Sequence, residues 1–226
     1  MGETAMTRLT SATVSSPRIQ PRHWVVATSA LVVLVVGWLF VAERAGGADG
    51  AAKAIPIDDN SFKCITEMKA VRHFYVDNLL GNVDATVAVA EKGRGDYPVG
   101  SVLQLVPNEV MIKQPKGFSP PTRDWEFFFV DVSEQGSKIY KRGFAEVNNR
   151  FGGNCFACHV KAKPEFDFVC EQGHGCDPVP FTRPMFGALQ RTDPRCKNKG
   201  PVSPEDAQAL KQLGELVKSL TANKTN

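Results

Sequence analysis

Residues 24–42 read WVVATSALVVLVVGWLFVA, an uncharged run whose only polar side chains are Thr28 and Ser29. A helix of this composition has no polar face to turn to water, so it does not suit the surface of a soluble domain. A bilayer core of about 30 Å needs roughly 20 helical residues, which such a run nearly supplies. Arg8, Arg18 and Arg22 precede it, whereas Glu43, Asp49, Asp58 and Asp59 are mixed with the cations that follow. That bias predicts a single pass through the inner membrane, with the N-terminus in the cytoplasm and the C-terminal domain in the periplasm or outside the cell. A cleaved secretory signal is the rival reading. The run is longer than the usual h-region of about 7–15 residues, but the small residues Ala45-Gly46-Gly47-Ala48 would allow cleavage. Both readings export everything after Ala42. The expected organisation is a cytoplasmic tail at 1–23, an anchor or signal at 24–42, a flexible linker rich in Ala and Gly at 43–60, and one exported domain at 61–226.

Within that domain, Phe62, Ile65, Met68, Phe74, Val76 and Leu79 recur at roughly helical spacing, predicting a helix over 61–80 that Gly81 stops. A shorter helix is expected over 83–91, although Val87 and Val89 also alternate as in a strand. From Ser101 the pattern turns β-like, with runs at 102–106, 110–113, 125–132 and 138–143 rich in branched and aromatic residues. Residues 133–137 would close the last two into a hairpin. WEFFFV at 125–130 is apolar on both faces apart from Glu126, as a central strand would be. Ser203-Pro204-Glu205-Asp206 opens a further helix, with Leu210, Leu213, Leu216, Val217 and Leu220 in one stripe. The expected fold class is therefore α+β: an antiparallel sheet with flanking helices, behind one N-terminal transmembrane helix. The formal net charge of +3 is spread along the chain and forms no basic stripe, so nucleic acid is not an expected partner.

The densest chemistry lies at Cys155-Phe156-Ala157-Cys158-His159. This C-x-x-C-H spacing is the attachment signature of haem c. Two thiols two residues apart can form thioethers to the two vinyl groups of one porphyrin, and the next histidine can then ligate iron. Gly152 and Gly153 let the backbone approach a flat macrocycle. Two alternatives compete: a zinc site on Cys155, Cys158, Cys170 and Cys176, and a redox-active dithiol. The four remaining cysteines, Cys64, Cys170, Cys176 and Cys196, allow two disulfides in three pairings. Cys170 with Cys176 across a glycine-containing loop, leaving Cys64 with Cys196, is the pairing expected. His174 is the candidate for a second iron ligand, with Met111 and Met185 read as core fillers and His73 as a packed or surface residue of the first helix. An open sixth position is the leading expectation. A filled one favours electron transfer, and an open one admits small ligands.

Over roughly Pro98 to Cys176 the arrangement resembles the cytochrome P-460 family, which includes the beta-type cytochromes c-prime. The resemblance rests on WEFFFVDV, then IYKRG, then NRFGGNCFACH late in the chain. It implies one haem c on Cys155 and Cys158, His159 as proximal ligand to a five-coordinate iron, and a homodimer. The implied function is electron transfer or binding of small ligands such as NO. Hydroxylamine-oxidising members also carry a lysine bonded to the haem and an acidic residue on its open side. Lys113 and Lys116 lie near the corresponding stretch. The anchor, the four further cysteines and the segment HGCDP depart from the family's simplest pattern. A hydroxylamine-oxidising enzyme and a zinc-stabilised binding module stand as alternatives.

Overall fold

Branched and aromatic side chains that alternate along the chain bury one face each way when their strands pair, and here that pairing builds a six-stranded meander. The computed structural model describes residues 53–149 and 152–222. Strands β1 (Lys69–Val71), β2 (Phe74–Asn78), β3 (Ser101–Val106), β4 (Glu109–Lys113), β5 (Trp125–Ser133) and β6 (Gly136–Gly143) pair antiparallel in sequence order. Helices α1 (Val83–Lys92), α2 (Cys155–His159), α3 (Arg183–Arg191) and α4 (Pro204–Ala222) flank the sheet. The α+β class and the antiparallel sheet agree with the sequence reading. The tail and the apolar run at 24–42 lie outside the described residues. Among the described residues no helix is long and apolar enough to cross a membrane.

The two sheet faces hold separate cores. Phe74, Val76, Leu103, Met111, Trp125 and Phe127 point to one face, where Ala90 of α1, Val147, Phe168 and Val169 cover them. Val102, Val110, Ile112, Phe128 and Val130 point to the other, where Ile57, Phe62, Ile65 and Met68 cover them. In β5 Trp125, Glu126, Phe127, Phe128 and Val130 are all buried, as its composition requires, although the strand is next to the edge of the sheet and not at its centre. Glu126 tolerates burial because Gln114 Nε2 and Arg142 Nε donate to its two oxygens, each at 2.8 Å.

Four expectations need correction. The helix expected over 61–80 is a pair of 3₁₀ turns followed by the β1–β2 hairpin. Burial along 74–78 alternates with period two, and pairing with β3 satisfies the backbone that a helix would have satisfied internally. His73 therefore sits at the hairpin turn. The last part of the expected linker, residues 53–60, packs on the sheet: Ile57 is buried and Ile55 N–H donates to Gln114 Oε1 at 2.8 Å. The β5–β6 connection is tighter than five residues, since Ser133 pairs with Gly136 and leaves two between them. On α4 the stripe from Leu210 to Leu220 is only half-buried, and the fully covered positions are Asp206 and Ala209. Asp206 takes the Arg191 guanidinium, with Nη2 to Oδ1 at 2.6 Å, fastening α4 to α3.

Both expected disulfides are present. Cys64–Cys196 links the segment before β1 to the loop after α3, and Cys170–Cys176 closes a short loop. Beside the first, the fully buried Asp193 accepts from Ile65 N at 2.9 Å and from Arg195 Nη2 at 2.6 Å. Cys64, Cys196 and Asp193 come close together, but the two sulfurs are bonded to each other and the carboxylate is engaged, so they offer no metal site.

Candidate functional site

After β6 the chain returns across the face lined by Phe127 and Trp125. Buried Val147 anchors that return, and Cys155 N–H donates to its carbonyl at 3.0 Å. Asn154 then starts α2: its Oδ1 accepts from Ala157 N at 2.9 Å, while Nδ2 donates to the carbonyls of Ala145 at 3.1 Å and Val147 at 3.2 Å. One side chain thus caps the turn and ties it to the preceding loop. Cys155 and Phe156 pack against the core of this face, and Cys158 and His159 are half-buried beside them. The three motif residues are therefore brought together on one helical turn.

His159 is held by two contacts. Its ring lies 5.3 Å from that of Phe127, and Nδ1 is 2.6 Å from the Phe168 carbonyl. A carbonyl can only accept, so Nδ1 carries the proton and Nε2 keeps its lone pair. Burial also pushes the imidazole below its ordinary pKa, which favours the neutral form that binds metals, although the Phe168 hydrogen bond acts the other way. A ring oriented through Nδ1–H to a backbone carbonyl is the usual arrangement of a metal-bound histidine.

The two thiols are free, in contrast to the other four cysteines. Burial pushes Cys155 up to about 12, with the Glu109 carboxylate adding to the effect, and burial raises Cys158 as well. A raised pKa keeps both thiols in the neutral form when no metal is bound. The four-cysteine zinc site is not formed, since Cys170 and Cys176 are joined to each other. Apolar rings surround α2: Phe144 lies 5.5 Å from Phe156, and Phe156 stacks at 6.1 Å on Phe168. Phe144 and Val160 leave apolar surface exposed beside the motif. Two neutral thiols, an imidazole with a free Nε2 and an aromatic border fit a covalently attached haem.

His174 lies in the Cys170–Cys176 loop, buried, with Nδ1 bonded to the Val169 carbonyl at 2.7 Å and its ring flat on Phe166 at 3.7 Å. Gly175 lets that loop close, because a Cβ there would sit 2.7 Å from the Lys161 carbonyl and its φ is +109°. Met111 and Met185 are buried core residues, as read. Lys116 is exposed on the rim of a groove of about 960 Å³. Lys113 is not a solvated lysine: its Nζ contacts both Asp167 oxygens, at 2.7 and 2.8 Å, and lies 5.0 Å from the Trp125 ring. Glu109, which sequence reasoning passed over, shares its strand face with Met111 and Lys113 and acts electrostatically on Cys155. Its alternation with those two residues was the available signal. No family model, curated protein or solved structure matches this chain.

Proposed function

We propose that the domain is a monohaem c-type cytochrome, carried on the outer side of the inner membrane and acting in electron transfer or in binding of small ligands such as NO. Cys155 and Cys158 hold the haem by thioethers, and His159 is the proximal iron ligand. The observation that carries this reading is the arrangement of the three side chains: two unpaired thiols on the same turn as an imidazole whose Nδ1–H is engaged by the Phe168 carbonyl. When bound, the iron supplies one-electron chemistry or a coordination site, and the chain's part is to attach, orient and shield it. The two disulfides support an oxidising compartment, in keeping with the apolar run at 24–42. The resemblance to the cytochrome P-460 family supports the same cofactor and suggests a homodimer.

The test is direct. Produced in a host competent for haem c maturation, the denatured chain should exceed its amino-acid mass by one haem, and Cys155→Ala/Cys158→Ala should not. A wild-type chain of bare polypeptide mass ends the proposal. Glu109 gives the hydroxylamine-oxidising alternative a candidate proton acceptor. Steady hydroxylamine turnover that is lost in Glu109→Gln would select that alternative over the carrier.

A further inference from the structure

Asp167 and Phe168 are consecutive non-glycine residues with left-handed backbones, φ 46° and 65°. That conformation costs free energy at each position and persists only where the surroundings hold it. Four contacts do so. Lys113 Nζ bonds both Asp167 carboxylate oxygens, Tyr97 N–H donates to Oδ2 at 2.9 Å, and Trp125 Nε1–H donates to the Asp167 carbonyl at 2.7 Å. Val169 N–H closes the turn on the Phe166 carbonyl at 2.8 Å. The donors come from the α1–β3 connection, β4 and β5, so three separate parts of the fold converge on one residue. Asp167 is 1% exposed and Lys113 9%. A buried pair of this kind contributes little net stability over apolar residues of like size, so its presence asks for another explanation. The next carbonyl in the chain offers one, since Phe168 O is the acceptor for His159 Nδ1–H.

We infer that Lys113, Asp167 and Trp125 are positioning residues that aim the Phe168 carbonyl at His159, and so set how strongly the proximal imidazole donates to iron. The inference rests on the haem reading above. A short Nδ1–H···O bond gives the imidazole partial imidazolate character, which strengthens the iron–nitrogen bond and favours the ferric state. Freeing Asp167 lets Phe168 relax towards an ordinary backbone conformation, which turns its carbonyl away.

Two haem-loaded variants test this without changing net charge: Trp125→Phe, which removes the donor to the Asp167 carbonyl together with part of a buried ring that also faces Lys113 and Tyr97, and Lys113→Met/Asp167→Asn, which removes both ions. The readouts are the iron–histidine stretching frequency in the reduced protein and the midpoint potential. Ile112→Val, in the core of the opposite sheet face, is the control for a general loss of stability. Expected are a lower and broader stretching band and a higher potential in both variants, with covalent haem retained and with the control unchanged. If Trp125→Phe and the double variant retain haem and keep the wild-type stretch and potential, the inference is overturned while the haem reading stands. If the double variant does not fold, Trp125→Phe alone decides. A wild-type protein without covalent haem removes both.

Discussion

Asn154 shows how much one side chain can do at this site. Its amide oxygen caps α2 and its amide nitrogen holds the loop from Ala145 to Val147, so the turn that carries Cys155, Cys158 and His159 and its approach are set together. Asn154→Ala should cost about 1–2 kcal/mol, the upper range for loss of an N-cap with further bonds, read as a lowered unfolding midpoint in denaturant. If the chain carries the haem proposed above, the yield of covalent haem should fall with it, while the spectrum of the protein that does load stays that of wild type. The motif itself was legible because C-x-x-C-H is a local spacing. The role of Asn154 was not, because two of its partners lie nine and seven residues back, across a loop. The Phe168 carbonyl opposite His159 was likewise invisible, since nothing in the sequence says which way a backbone carbonyl faces.

At the scale of elements, the disulfides were readable and the hairpin was not. Pairing Cys170 with Cys176 leaves one partner each for Cys64 and Cys196, and the structure has both bonds. Their separations, 132 and 6 residues, imply different contributions. Loop-closure entropy gives about 5 kcal/mol for the long crosslink and about 2 for the short one. Cys64→Ala/Cys196→Ala should therefore lower the unfolding free energy by more than twice as much as Cys170→Ala/Cys176→Ala, measured by denaturant titration of the two double variants. Equal losses would mean that local packing, and not chain entropy, dominates. The β1–β2 hairpin escaped detection because Phe62, Ile65 and Met68 belong to one core and Phe74 and Val76 to the other. Read as one stripe they imitate a helix, and only the sheet between the two cores separates them. Helix α3 was missed altogether, although Pro184 near its start and buried Met185 and Ala188 were its signals.

For the molecule as a whole, pH sensitivity follows from a half-buried histidine at the hairpin turn. His73 Nδ1 is buried without a hydrogen-bond partner and lies 4.0 Å from Glu171 Oε2. Burial lowers its pKa below the ordinary 6.5; Glu171 opposes the shift, and Arg183 and Arg72 add to it. The unfolded chain then takes up the proton at a higher pH than the folded one. Stability should be full above about 6.5 and decline as pH falls towards the lowered folded value. His73→Gln should flatten that decline in unfolding free energies measured between neutral and mildly acidic pH. A slope unchanged by the substitution would assign the acid sensitivity to other groups. The same turn ties distant parts of the fold together: Arg72 forms an ion pair with Glu171 beside Cys170, and Gln190 of α3 donates to the His73 carbonyl at 2.9 Å.

Sequence alone determined what depends on neighbours along the chain: the strands from 101 to 143, the start of α4, and the two thiols and imidazole on one turn. These follow from period, composition and spacing, which act over a few residues. Tertiary structure decided which sheet face each apolar residue serves, that residues 53–60 pack on the sheet, that Lys113 is buried against Asp167, and that His159 finds the Phe168 carbonyl. Each of those rests on contacts between segments far apart in the chain, where free energy is set by which groups can be desolvated together and still find partners.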